Sequence, residues 1–259
     1  MQIKNTILSQ SELNVLENAV IKFRKIVTFD ELVSLYERES REVIRKKVAL
    51  LVKKGWLIRL KKGQYNVITN ISTLGFNDLS EYVVAQALQK DSYVSFESAL
   101  QYHGLFDQML TTVSSVTIKY ARKHTVQNTT YAFSRVKKEL YFGFTTESFG
   151  SYTAQIADQE KALLDILYFR NSAYSVNLVL EKLREYKHRI DFEKLKQYAQ
   201  AYGVGMMRTI GFLLDNIEVD TNELLRRVKA NKNSYNKLTK AATIFDTKWR
   251  LYYEHNALI

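Results

Sequence analysis

The spacing of hydrophobic residues predicts three helices in the first 55 residues of the chain. The first lies behind a serine cap and ends near residue 23. Thr28 opens the second, and Glu31 three residues later completes a capping box. The third covers residues 41–54, because Ser40 can cap its start and Gly55 is the usual residue for a left-handed helix end. The short polar segment between the last two helices has the length of a helix-turn-helix connection.

The third helix separates into an apolar side and a basic side when its residues are placed about 100° apart. The side expected to face the core gathers Val43, Ile44, Leu50 and Leu51, with Val48 at its edge. The opposite side contains Glu42, Arg45, Lys46, Ala49 and Lys53, with Arg41 at its flank. This basic stripe begins at the amino end of the helix, where recognition helices usually meet base edges.

After Gly55 the hydrophobic period changes from that of a helix to that of a strand. Residues 56–60 and 64–67 are predicted to form a hairpin with Lys61-Lys62-Gly63 as its turn. Three helices followed by a basic hairpin predict that residues 1–70 form a winged helix-turn-helix DNA-binding domain. Helix side chains can reach guanine edges or phosphates, and wing lysines can reach backbone phosphates. The candidate DNA-binding residues are Arg41, Arg45, Lys46, Lys53, Lys61 and Lys62.

The rest of the chain, residues 71–259, is predicted to be a larger α+β domain with a small sheet and a helical carboxy-terminal half. A turn-rich segment at 68–78 marks the boundary. Helices are expected from a cap at Asp78 or Ser80 to about residue 89, and over 96–102 behind a cap at Ser95. The predicted strands are 113–120, 129–136, 139–144 and 152–156. Helices are then expected at 158–170, 176–186, 192–202, 206–214 and 221–228, with a closing strand within 240–253.

Charge supports a polyanionic partner because the basic residues are concentrated at the front of the chain. The whole sequence has 38 Lys and Arg against 27 Asp and Glu, a net charge of +11. Residues 1–70 contain 14 basic and 7 acidic residues, and the remaining 189 contain 24 and 20. From Arg38 to Lys62, ten residues are basic and two are acidic. Double-stranded DNA is therefore the expected partner.

Composition excludes several other classes of protein. The chain is 46% hydrophobic and 25% charged, as in an ordinary globular protein. The absence of cysteine excludes disulfides, thiolate catalysis and cysteine-ligated metals. No apolar stretch approaches the about 18 residues of a membrane span, and residues 1–5 lead into a polar helix without the apolar core of a signal peptide. A cytoplasmic protein with no cofactor and no membrane partner is expected.

Several chemically suggestive residues are interpreted as structural. His103 beside Gly104 faces the carboxyl end of a helix dipole, and the histidines of the chain show no metal-ligand spacing. Asp158 is a helix cap, Glu160 lies in the first turn, and Asp165 is expected to accept a hydrogen bond inside the domain. The glycines of Gly203-Val204-Gly205 suit a helix–helix turn better than a phosphate loop. No catalytic or metal-binding residue is expected.

Pattern alone leaves other functions open. Three helices and a hairpin also occur in small domains that contact only proteins, and a basic helix face is often merely solvated. A protein-interaction adaptor is therefore the second hypothesis. An enzyme is the third, because the sequence has no catalytic constellation.

Two segments of the second domain resemble a known family. Residues 93–105 have the sequence YVSFESALQYHGL, and residues 156–165 have the sequence IADQEKALLD, which has the form A-[DS]-x-E-K-A-L-x-D. Both are similar to segments of the AbiEi family, antitoxin-like transcriptional regulators of type IV toxin–antitoxin and phage abortive-infection systems. With the amino-terminal winged helix, the resemblance covers nearly the whole chain.

The resemblance implies a regulator with two parts. The amino-terminal domain would bind inverted repeats in its own promoter and repress an operon for antitoxin and toxin. The carboxy-terminal domain would counteract a nucleotidyltransferase-like toxin without forming a stable complex with it. A solitary regulator with no toxin is the alternative within the same class.

Overall fold

The computed structural model describes residues 6–36, 39–230 and 234–254. Residues 1–5, which were used above to argue against a signal peptide, lie outside this part of the chain. So do Arg38, which contributes to the basic count, and His255.

The amino-terminal elements follow the predicted order, with one strand that the sequence did not predict. They are α1 (Gln10–Phe23), β1 (Ile26–Thr28), α2 (Phe29–Val33), α3 (Arg41–Lys54), β2 (Leu57–Lys61) and β3 (Gln64–Val67). The predicted caps are present at Thr28, Ser40 and Gly55, and Ser9 caps α1 in a capping box with Glu12. The added strand, β1, lies between α1 and α2 and pairs with β3, which gives the sheet order β1-β3-β2.

For two apolar residues of α3, the prediction that they face the core is wrong. Ile44, Val48 and Leu51 are buried, whereas Val43 and Leu50 are 43% and 45% exposed. The buried positions repeat at i, i+4 and i+7, so the contact is one narrow stripe rather than a broad apolar side.

Within the described residues, a six-stranded mixed sheet forms the centre of the second part of the chain. Its strands are β4 (Ser92–Val94), β5 (Thr112–Thr117), β6 (His124–Val126), β7 (Thr129–Arg135), β8 (Phe144–Phe149) and β9 (Tyr152–Ala157), in the order β6-β7-β5-β4-β9-β8. The β5–β7 and β4–β9 pairs are parallel and the others antiparallel.

The strand predicted at 139–144 is wrong. Lys138–Leu140 is a short 3₁₀ helix, and the strand begins only at Phe144. Gly143 has a φ of +73°, which interrupts an extended chain, and the Tyr141 ring packs on Tyr93 instead of continuing a ladder. The short strand β6 was also not predicted.

The helices of the second part pack on this sheet and on each other. They are α4 (Glu81–Leu88), α5 (Phe96–Tyr102), α6 (Gln159–Phe169), α7 (Ala173–Glu185), α8 (Phe192–Tyr202), α9 (Val204–Asp215) and α10 (Asn222–Lys229). The tail is three short strands rather than one, β10 (Asn236–Lys237), β11 (Ile244–Asp246) and β12 (Leu251–Tyr253). The fold is therefore α+β. Among the described residues, no helix is both long and apolar enough to cross a membrane.

A shared hydrophobic cluster joins the two parts of the chain across the predicted boundary. Ile58 and Leu60 of β2 belong to the same buried cluster as Val84 and Leu88 of α4 and Tyr131 of β7. Leu57 instead belongs to a second cluster with Ile44 and Leu51 of α3 and the other amino-terminal helices. Alternate residues of β2 thus face two different cores, so the hairpin is held between them.

Trp249 closes the carboxy-terminal core against a glycine. Its side chain is fully buried and its indole N–H donates to Asp215 at 2.6 Å. A Cβ atom on Gly211 of α9 would lie only 2.1–2.5 Å from three carbons of the Trp249 ring. The absence of a side chain at position 211 therefore makes room for the ring.

Gly211→Ala is expected to lower the free energy of unfolding by about 1–3 kcal/mol, because the indole must move and strain its hydrogen bond to Asp215. Chemical denaturation with tryptophan fluorescence measures the change. Gly150→Ala is not a matched control, because Gly150 has a positive φ. Gly205→Ala is a matched control, since Gly205 lies in the same helix and the nearest atoms to a Cβ there are those of the Asn236 amide, at an ordinary contact distance of 3.6 Å. Equal stability of the Gly211 and Gly205 variants would contradict the packing argument.

Candidate nucleic-acid interface

Six basic side chains are exposed on α3 and on the hairpin that follows it. They are Arg41, Arg45, Lys46 and Lys53 of α3, Arg59 of β2 and Lys62 of the turn. We call these residues the basic face. On α3 they project away from the buried stripe of Ile44, Val48 and Leu51. Five of the six predicted DNA-binding residues therefore lie on this exposed surface.

The two arginines near the start of α3 lie over an aromatic ring. The guanidinium carbons of Arg41 and Arg45 are 5.4 and 5.8 Å from the centre of the Phe29 ring in α2. Arg41 also donates to Asp30 at 2.5 Å. A guanidinium that stacks on a ring loses less freedom when it binds, because part of its conformation is already set.

The acidic residues next to the basic face neutralise little of its charge. Glu42 lies 3.9 Å from Lys46, and both side chains are more than three-quarters exposed. The Arg41–Asp30 pair is also exposed. Pairs of this kind contribute about 0–1 kcal/mol each, so a phosphate can compete with them. No carboxylate in the described part of the chain lies within 4 Å of Arg45, Lys53 or Lys62.

Two other lysines of α3 have structural roles. Lys54 is 11% exposed and its ammonium contacts Glu12 of α1 at 2.7 Å. Burial alone would raise the pKa of Glu12, but hydrogen bonds from Lys54 and Ser9 outweigh it and the pKa is lowered. Lys47 contacts Glu39 at 2.5 Å and lies over the Tyr36 ring. Neither ammonium is therefore free to meet a phosphate.

The structure places Lys61 differently from the sequence prediction. Its ammonium donates to the carbonyl oxygens of Ala87 and Leu88, at 3.1 and 2.8 Å, at the end of α4. Burial lowers the pKa of Lys61, and repulsion from Lys90 adds to this effect. Lys61 therefore holds the hairpin against α4, and Lys62 is the exposed lysine of the hairpin turn. The turn itself is Lys62-Gly63, where Gly63 has a φ of +75°.

A cleft of about 650 Å³ borders the basic face on one side. Lys53 and Arg59 line it from α3 and β2, and Gln127 and Asn128 line it from the turn between β6 and β7. Gln127 accepts a hydrogen bond from the backbone N–H of Asn77 and donates to the carbonyl of Gly75, so it fastens the connecting segment to this turn. The cleft is therefore a fixed groove between the two parts of the chain.

Arg59 belongs to the basic face but was not among the DNA-binding residues predicted from the sequence. Arg59 is the one charged residue in the segment 56–60, and its neighbours Ile58 and Leu60 are buried while it is exposed. The period of two along a strand is the signal that could have identified it.

The polar side chains around Asp165 form a buried network and not an open site. Asp165 is fully buried and accepts hydrogen bonds from Tyr93, Ser95, Lys161 and Tyr202 at 2.5–3.0 Å. The expectation that Asp165 accepts a hydrogen bond inside the domain is confirmed. Ser95 occupies the N-cap position of α5 as predicted, but its hydroxyl donates to Asp165 and makes no cap hydrogen bond.

Burial shifts the pKa values of three groups in this network. Burial raises the pKa of the Tyr93 and Tyr202 hydroxyls well above the usual value, and the Asp165 charge raises both further. Burial lowers the pKa of Lys161 and outweighs the attraction of Asp165. The Lys161 ammonium contacts the Asp165 carboxylate at 2.6 Å, and the Tyr93 and Tyr202 hydroxyls donate to the same carboxylate. Lys161 and Asp165 both have 0% exposed side chains, so no substrate can reach them in this conformation.

Residues 93–105 and 156–165, the two segments singled out in the sequence, meet at this network. Tyr93 and Ser95 come from the first segment, and Lys161 and Asp165 come from the second. A further contact joins His103 Nε2 to the carbonyl oxygen of Ala157 at 2.8 Å. These contacts therefore hold β4, α5, β9 and α6 together.

The remaining candidate residues have structural positions. Asp158 caps α6 through the N–H of Lys161. Glu160 accepts a hydrogen bond from the N–H of Asp191 at 2.9 Å. Gly203, with a φ of +96°, joins α8 to α9, which confirms the helix–helix turn. In the described ranges, no group of three His, Asp or Glu is placed to hold a metal ion.

No protein-family model matches the chain, and no curated protein is significantly similar to it. Among solved structures, the fold is similar to the crystal structure of the RV2827C protein from Mycobacterium tuberculosis. The TM-score is 0.64 at 12% sequence identity, over 95% of this chain and 92% of that chain. A likeness this distant shows a common fold across both parts of the molecule, and it carries no statement about function.

Proposed function

We propose that this protein is a DNA-binding transcriptional regulator and that residues 1–70 form its winged helix-turn-helix. The observation that supports this most is that α3 has one buried apolar stripe and an exposed basic side. One stripe of the helix is buried, while Arg45, Lys46 and Lys53 project into solvent from the other side. The preceding helix α2 and the following hairpin β2–β3 stand in the order of a winged helix-turn-helix.

In this proposal α3 enters the major groove. Arg45, whose guanidinium is oriented by Phe29, can read a guanine through its O6 and N7 acceptors. Lys46 and Lys53 can contact phosphates on either side of the groove, and Lys62 can contact the backbone from the wing tip. Arg59, beside the cleft, adds a further cation.

A selection from random duplexes tests this function. The full chain is mixed with a pool of double-stranded DNA, and the bound fraction is sequenced and then measured by fluorescence anisotropy. A regulator selects one motif and binds it at least about 10³-fold more tightly than unrelated duplex. A two-fold symmetric motif would support the inverted repeats implied by the resemblance. A pool that never departs from random sequence would contradict base recognition.

We also propose, on the resemblance to the AbiEi family, that the regulator is the antitoxin of a type IV system. The segments that carry the resemblance support the fold of residues 71–259 through the Asp165 network. Co-expression with the neighbouring gene tests this role. An antitoxin restores growth when a nucleotidyltransferase-like toxin is induced, without co-purifying with it. Growth arrest in the presence of the full chain would contradict the antitoxin role and leave the proposed DNA binding intact.

A protein-interaction adaptor is the alternative. An adaptor would explain the fold equally well, but it gives no reason for six exposed cations on α3 and the hairpin that follows it. An adaptor would bind DNA weakly and with no preferred motif, so the same selection distinguishes the two functions.

A further inference from the structure

A second basic patch lies beside the wing, outside residues 1–70. It lies where α4 ends and in the loop between β5 and β6. Its members are exposed, and they are Lys90, Lys119, Arg122 and Lys123. We call these residues the flank patch. The loop sequence from 119 to 124, KYARKH, contains no acidic residue, and its Tyr120 is 78% exposed.

Hydrogen bonds fix the wing beside the end of α4. Lys61, next to the wing-tip residue Lys62, donates to the carbonyl oxygens of Ala87 and Leu88. Lys90 follows Leu88 by two residues, so its charge lies close to the hairpin. The repulsion between Lys61 and Lys90 contributes to the lowered pKa of Lys61, after burial.

Other hydrogen bonds fix the β5–β6 loop at the same place. The Thr117 hydroxyl at the end of β5 donates to the carbonyl of Asp91 at 2.6 Å. The Lys119 ammonium contacts the Asp91 carboxylate, also at 2.6 Å. At the other end of the loop, burial lowers the pKa of His124, and the positive charge of Lys61 lowers it further. The wing, the end of α4 and the β5–β6 loop therefore form one continuous surface.

The charge of this surface is not balanced. Asp91 is the acid that these contacts bring to the flank patch, and Lys119 already occupies it. In the ranges that the structure describes, no carboxylate lies within 4 Å of Lys90, Arg122 or Lys123. Three cations therefore remain for an anionic partner next to Lys62.

We propose that the flank patch binds the backbone phosphates of DNA that flanks the site contacted by α3, so that the bound duplex continues past the wing. This inference rests on the proposed DNA binding. Lys and Arg on a loop reach phosphates without reading bases, so the flank contributes affinity at any sequence. The exposed Tyr120 ring can pack against the sugars of the same strand.

Two duplexes test the proposal with the full chain. Both contain the selected motif, and the longer one extends it by about one helical turn, about 10 base pairs, on each side. Arg122→Ala/Lys123→Ala is compared with the wild type by anisotropy at several salt concentrations. The matched control is Arg226→Ala/Lys229→Ala, which removes two exposed cations from α10. Circular dichroism checks that each variant is folded.

The wild type is expected to bind the long duplex more tightly than the short one. We expect this gain in affinity to be about tenfold and to be lost in the Arg122/Lys123 variant. On the long duplex only, the slope of log affinity against log salt should also become shallower by about two units in this variant. The α10 control should behave as the wild type. An equal loss in the control would reduce the effect to net charge and overturn the proposal.

Failure of this inference is distinct from failure of the proposed function. A wild type that binds the short duplex and gains nothing from the flanks overturns the flank patch alone. A wild type that binds neither duplex overturns DNA binding itself. A third measurement uses vesicles that contain phosphatidylserine. If the wild type binds these vesicles and the Arg122/Lys123 variant does not, while both bind DNA equally well, the patch binds a membrane surface instead.

Discussion

Asp165→Asn is expected to lower the free energy of unfolding by about 3–5 kcal/mol, because it leaves the Lys161 ammonium buried without its counter-charge. Asp165 accepts four hydrogen bonds that join β4, α6 and α8. The expected fall in melting temperature is about 10 °C for a chain of this size. Thermal unfolding followed by circular dichroism measures it.

The matched control is another acid–lysine pair four residues apart, on the surface of α3. Glu42 and Lys46 are both exposed and 3.9 Å apart. Glu42→Gln should change the stability by less than about 0.5 kcal/mol. The double variant Lys161→Met/Asp165→Leu should recover part of the loss, since it removes both buried charges together. An Asp165→Asn protein as stable as the Glu42→Gln protein would contradict the structural role of the network.

Arg45→Ala/Lys46→Ala is expected to weaken binding to the selected DNA about 100-fold, while the stability stays close to that of the wild type. One lost guanine contact and one lost phosphate contact together account for a change of this size. Stability should change little because both side chains are exposed and neither belongs to the buried stripe of α3. Anisotropy with the selected duplex and with a scrambled one measures the affinity and the sequence preference.

Arg226→Ala/Lys229→Ala is again the control, because it removes the same charge from another helix. It should bind both duplexes nearly as the wild type does. If the Arg45/Lys46 variant retains both its affinity and its preference for the selected duplex, α3 is not the recognition helix.

Local chemistry made much of the fold predictable from the sequence. Helix starts at Thr28, Ser40 and Asp158 depend on a side chain that bonds a backbone N–H three residues away, and all three are present. Gly55 likewise ends α3 in the left-handed conformation expected of it. These features need no knowledge of the rest of the chain.

The errors have a different origin, because they depend on distant contacts. Ser95 has the position of a helix cap, but its hydroxyl bonds Asp165, seventy residues away. Lys61 has the position of a wing tip, but its ammonium reaches carbonyls of α4. Val43 and Leu50 satisfy a helical wheel, yet the partner surface contacts a narrower stripe.

The candidate site was predictable to a similar extent. The basic side of α3 follows from helical period alone, and Arg41, Arg45, Lys46 and Lys53 are exposed there. The helical period does not tell which lysines are free to bind a partner, since Lys54 forms an ion pair with Glu12 of another helix. The flank patch is separate in sequence from the β2–β3 hairpin, and only the fold brings them together.

The salt dependence of binding tests the central claim, DNA recognition by the basic face, most directly. The affinity of the wild type for the selected duplex is measured by anisotropy between about 50 and 200 mM salt. If Arg45, Lys46, Lys53, Arg59 and Lys62 meet the DNA and most of them contact phosphates, the logarithm of the affinity falls against the logarithm of salt with a slope of about −4 or steeper. A slope near zero, or no binding at the lowest salt, would contradict the account.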